Sequence, residues 1–151
     1  MSWDIIDKIS RYVSKEARSR TTSGKMYEAD AHATGTPTIV EVLSSATANT
    51  FGSWVEIEDS LSSDSEVCSF VSLGAGAAAA SVFEFATGAS GSEVVFARIT
   101  IPGIAGMFTY HFSPRIKIAS GSRIAVRVSD TLASAPTYYV SLQWFQGLEA
   151  I

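Results

Sequence analysis

The chain of 151 residues is 46% hydrophobic and only 17% charged, which supplies one core and excludes a disordered chain. The net charge of −4 divides unevenly: residues 1–25 hold six bases (Lys8, Arg11, Lys15, Arg18, Arg20, Lys25) against Asp4, Asp7 and Glu16, for +3, and the remainder is −7. An acidic body does not suit a nucleic-acid partner; export by a standard signal is not expected, since no apolar run follows a basic start at Met1, nor is a membrane span, since the long uncharged stretch Val67 to Phe83 is interrupted by Gly74, Gly76 and serines.

Residues 2–20 read as an amphipathic helix. Ser2 can cap it, and Asp4 lies near the positive end of the dipole. Trp3, Ile5, Ile6, Ile9, Tyr12 and Val13 form the apolar stripe at three- and four-residue spacing, and Asp7, Lys8, Arg11 and Lys15 fall mostly on the other side. That stripe must be buried, on its own domain or on a partner. Covering five such side chains contributes roughly 7–15 kcal/mol before ordering costs, enough for an anchor. The basic charges either dock on an acidic neighbour or simply complement the helix dipole in water. Thr21-Thr22-Ser23-Gly24 stops the helix, so residues 1–24 are an anchor or oligomerisation segment. Residues 25–37, punctuated by Gly35 and Pro37, read as a linker.

After Pro37 the period changes to alternation. Strand-like runs occupy Thr38–Leu43, Trp54–Glu58, Val67–Leu73, Ser81–Thr87, Glu93–Ile101, Phe108–Phe112, Arg115–Ile118, Ser122–Ser129 and Tyr138–Phe145. Within them Phe83 and Phe85 oppose Val82 and Glu84. Ile124, Val126 and Val128 oppose Arg123 and Arg127. Tyr138, Val140, Leu142 and Trp144 share one face, which leaves Tyr139 on the other. Asn49-Thr50-Phe51-Gly52, Thr87-Gly88-Ala89-Ser90-Gly91, Pro102-Gly103 and Ser120-Gly121 supply turns. Many short strands without intervening helices predict a mainly β fold. The expected architecture is an antiparallel, jelly-roll-like β-sandwich of about eight strands over residues 38–151, behind the N-terminal helix. Gly74–Ala80, low in complexity, reads as a loop or as a small-residue surface.

Candidate chemistry is sparse. His32 falls in the linker and His111 in an aromatic run, neither with metal-ligand spacing. Cys68, the only cysteine, sits in an apolar run and reads as a buried structural thiol. Glu56, Glu58, Asp59, Asp64 and Glu66 cluster, but without the order of a calcium loop, so a solvated hairpin end is the simpler reading. No phosphate loop or nucleophile elbow is present, and no catalytic residue, cofactor or metal is expected. The aromatics Trp54, Tyr138, Tyr139, Trp144 and Phe145 are expected in the core, and any that face outward are free to stack on sugar rings or on a neighbouring subunit.

The stretch Ile116-Lys-Ile-Ala-Ser-Gly-Ser-Arg-Ile-Ala-Val-Arg-Val-Ser-Asp, followed by Tyr138-Tyr-Val-Ser-Leu-Gln-Trp-Phe, resembles a pattern in small β-sandwich proteins of tailed-bacteriophage particles. So do Phe83-Glu-Phe-Ala-Thr-Gly-Ala-Ser-Gly-Ser-Glu and Gly52-Ser-Trp-Val-Glu-Ile. The resemblance covers residues 38–146. It implies a virion component of the fibre, receptor-binding or head-decoration type, assembled in the host cytoplasm. The implied partners are other virion proteins and further copies of the chain, as a homotrimer, with a host-surface glycan as a further candidate. It brings no catalytic residues with it. A carbohydrate- or receptor-binding module is the alternative function.

Overall fold

The computed structural model describes residues 25–28, 39–74, 79–103 and 106–146. The predicted helix over 2–20, its apolar stripe, His32 and residues 75–78 lie outside the described residues. Nine strands occupy the rest: β1 Lys25–Glu28, β2 Val40–Leu43, β3 Val55–Glu58, β4 Ser65–Gly74, β5 Ser81–Thr87, β6 Val94–Ile101, β7 Met107–Ile118, β8 Ile124–Asp130 and β9 Thr137–Gln146.

The wiring is nested. Among β2 to β9, first pairs with last: β2 with β9, β3 with β8, β4 with β7 and β5 with β6, all antiparallel. A long eight-stranded hairpin folded over on itself produces this pattern. The further pairs β4–β9 and β5–β8 then close two sheets, each four strands wide, in the jelly-roll arrangement. β1 is the ninth strand. It lies in line with β2 on the same edge of β9, Glu28 opposite Gln143 and Val40 opposite Val140, so one sheet has five strands and the other four. Lys25–Glu28 thus form a strand at the start of the segment read as a linker. Alternation over four residues was too short to reveal it, and the free edge of β9 supplies its hydrogen bonds.

The two sheets enclose one core. Phe70 of β4 is its hub, with ring centroids 5.7 Å from Phe83, 5.2 Å from Phe85 and 6.1 Å from Phe108. It therefore ties the five-stranded sheet to the four-stranded one. Trp144, Leu142, Val140, Val42, Ile124, Val126 and Val128 fill the space around it. The alternation read from β5, β8 and β9 places the correct residues inward. Tyr138 is buried, its ring edge-on to Phe83 at 5.5 Å, and its hydroxyl donates to Asp130 Oδ2 at 3.0 Å. Burial, and then the acidic partner, push that phenol well above its ordinary value.

Two sequence expectations change here. Phe108–Phe112 and Arg115–Ile118 are one strand. Pro114 is tolerated because β7 is an edge strand, and the ladder slips around it: Ser69 pairs with His111 and Val67 with Ile116, leaving Cys68 alone opposite an excursion of β7. Of the aromatics expected inside, only Tyr138 and Trp144 are core. Trp54, Tyr139 and Phe145 are half-buried on outer faces, because their strands alternate and the inward positions are already taken.

The β2–β3 connection is held tightly. Asn49, with a left-handed φ of 59°, donates its N–H to the Asp130 carbonyl at 2.6 Å, and Gly52 N–H donates to Val128 O at 2.9 Å. A Cβ at position 52 would overlap the Leu43 carbonyl oxygen, so this approach requires glycine.

Candidate interaction surface

The inner faces are consumed by the core, and the two outer faces differ. On the four-stranded sheet, Arg127, Glu84 and Arg98 stand side by side across β8, β5 and β6. Glu84 is 0% exposed, although alternation places it outward. Arg98 Nε donates to its Oε1 at 2.6 Å and Arg127 Nε to its Oε2 at 2.8 Å. Arg127 is itself held over the rings of Phe51 and Trp54, at 4.5 and 4.4 Å from their centroids. A second cluster lies beside the β5–β6 turn. Arg123 bonds Glu56 at 2.7 Å, Glu93 at 3.3 Å and the Gly88 carbonyl at 3.2 Å. Partial desolvation pushes the Glu93 carboxyl up. The backbone N–H groups of Glu93 and Gly91, together with Arg123, outweigh this and hold it below its ordinary value. This face neutralises its own charges.

The acidic cluster read from sequence is dispersed by the fold. Glu56 pairs with Arg123, Glu66 with Arg115 at 3.6 Å, and Asp64 Oδ1 accepts the Ser120 N–H at 2.8 Å. Among the described residues no three His, Cys, Asp or Glu side chains gather in a way that could hold a metal ion. His111 is exposed on β7. Cys68 is half-buried rather than buried, because the bulge in β4 turns it out of the core. Its Sγ donates to the Gln143 carbonyl at 3.3 Å. Among the described residues no helix is long and apolar enough to cross a membrane.

The outer face of the five-stranded sheet is graded. At one end Glu66 pairs with Arg115, which also lies over the Phe145 ring at 4.5 Å, and Lys117 stands opposite Glu66. At the other end Tyr139, Leu73 and Met107 form a row across β9, β4 and β7, beside Ile39 and Leu43. Met107 is 71% exposed, Ile39 and Leu43 52% and Leu73 45%. Single exposed apolar groups are ordinary, but several in contact mark a surface that something covers. Next to Leu43 lies an open concavity of about 540 Å³ lined by Ser44, Ser45, Phe51, Gly52, Ser53 and Val55.

Sequence reading did not single out Leu43, Leu73 or Met107. A signal existed: the run Ile39-Val40 and the pair Val42-Leu43 are apolar on both phases of the alternation, as in strands with both faces covered. The stripe residues Trp3, Ile5, Ile6, Ile9, Tyr12 and Val13 lie outside the described residues.

No protein-family model matches the chain, and no curated protein matches it. Among solved structures, a chain in the structure of the infectious bursal disease virus Gx strain is similar, with a TM-score of 0.46 at 11% identity. The similarity covers 85% of this chain and 33% of that one, so this chain spans about a third of its length.

Proposed function

We propose that the chain is a non-catalytic structural component of a tailed-phage particle, assembled in the host cytoplasm. In this reading residues 2–20 anchor or trimerise it through Trp3, Ile5, Ile6, Ile9, Tyr12 and Val13, and the sandwich is exposed or packed on other virion proteins. The observation that carries the proposal is the contrast between the outer faces. One is occupied by its own ion pairs, with Val94 and Val95 exposed at its β6 edge, and the other ends in an apolar row across three strands, suited to assembly. The resemblance of residues 38–146 to phage sandwich proteins supports the same role. Glycan binding has less support, since Arg127 occupies one face of both Phe51 and Trp54, and three carboxylates of the acidic segment, Glu56, Glu66 and Asp64, are engaged by Arg123, Arg115 and Ser120.

The test removes residues 1–24 and measures how much of the chain joins particles. Incorporation falls at least tenfold if the segment anchors or trimerises the protein; undiminished incorporation would sink that role. An array of host-surface glycans probed with the full chain tests the other reading, which requires binding.

A further inference from the structure

An exposed apolar row on the sheet and an apolar stripe expected over residues 2–20 belong to one chain. We infer that the row of Tyr139, Leu73 and Met107, flanked by Leu43, is the seat for the N-terminal stripe of a second copy. This inference rests on the contact role proposed above for residues 2–20.

Three observations support it. The first is chemical match: an exposed apolar row on a sheet and an apolar helical stripe each require cover, and an amphipathic helix on an apolar seat is a common solution. The second is direction. β1 begins with Lys25 opposite Gln146, while the row crosses β9 at Tyr139, roughly 23 Å away at the rise of a strand. Because β1 runs from the Gln146 end towards Gln143, the N-terminal segment is attached at the charged end of the sheet, and its own row lies at the other end. The helix expected over 2–20 is about 28 Å long, enough to bring its stripe within reach of a neighbouring copy. The third is charge. Residues 1–25 are +3 and the remainder −7, so the segment of one copy is attracted to the body of the next. Exchange of such arms in a head-to-tail sense closes a ring of identical contacts, as a trimer requires.

The experiment uses the full chain and native mass spectrometry with three proteins: wild type, a face variant (Leu73→Asp with Met107→Asp) and a stripe variant (Ile5→Ser with Ile9→Ser). Wild type is expected at multiples of the 16.0 kDa chain mass. Each variant alone is expected to associate at least tenfold more weakly. An equimolar mixture of the two regains a mixed species, because the intact stripe of one meets the intact face of the other. A stripe variant that remains assembled overturns the inference in favour of face-to-face pairing. A monomeric wild type, or a mixture without the mixed species, overturns it as well. Matching thermal transitions show that the variants fold; should the double face variant unfold early, Met107→Lys at the most exposed position gives the same decision. A monomeric wild type removes the seat but leaves membership of the particle to the incorporation assay, so the two failures are distinguishable.

Discussion

Glu84 shows what a single side chain contributes to this sandwich. Its carboxylate is fully covered and holds two arginines that are only partly so, with Arg98 64% and Arg127 29% exposed at the side chain. Removing the carboxylate leaves two cations, and their access to water limits the damage. Glu84→Gln is expected to destabilise the fold by about 1–3 kcal/mol in denaturant unfolding at neutral pH. Arg98→Gln, which breaks a pair from the exposed side, should cost less than about 1 kcal/mol. Equal costs would mean that the buried carboxylate does not organise this face. Glu93 gives a pH dependence. Its folded value is depressed, so its contribution is present above the unfolded value, near the ordinary 4.5, and is lost as pH falls through the lower folded value. Glu93→Gln therefore flattens the stability curve on the acid side, and the two proteins converge once wild-type Glu93 is protonated. Parallel curves through that range would show that the backbone N–H groups and Arg123 do not depress Glu93 in the folded protein.

At the scale of elements, β4 does most to join the layers. It pairs with both β9 and β7, sends Phe70 into the core and leaves Leu73 outside. Phe70→Ala removes the ring that meets Phe83 and Phe85 across the sandwich, so a loss of about 3–5 kcal/mol is expected, lowering the thermal midpoint by on the order of 10 °C. Leu73→Ala on the opposite face should cost under about 1 kcal/mol. A calorimetric scan of both variants checks the assignment of faces; similar losses would contradict it. β7 shows how an edge differs from a centre. It accommodates Pro114 and an excursion between His111 and Ile116 opposite Cys68, whereas the β4–β9 ladder at the same place is interrupted only by Cys68 itself.

For the whole molecule, nested pairing makes the sandwich depend on contacts distant in sequence, with β2 meeting β9 and β3 meeting β8. The core is built from residues between Val42 and Trp144, so removal of residues 1–24 should leave the unfolding midpoint within a few degrees of wild type while abolishing assembly. A large drop in that midpoint would mean that the segment packs on its own sandwich, and would redirect the anchor reading.

Sequence alone determined the class of fold and most inward faces, because alternation with period two is a local property: Phe83 and Phe85, Ile124 and Val126, and Leu142 and Trp144 could be placed without knowing their neighbours. It also carries the basic charge of the first 25 residues and the apolar spacing from which a stripe over 2–20 is expected. Only the tertiary structure decided what the outward positions do. Glu84 is buried because Arg98 and Arg127 arrive from β6 and β8, 14 and 43 residues further along the chain. Tyr139, Leu73 and Met107 form a row because antiparallel register aligns three strands separated by long connections. The jelly-roll order, too, was beyond local reading, since alternation specifies which face of a strand is buried and not which strand lies beside it.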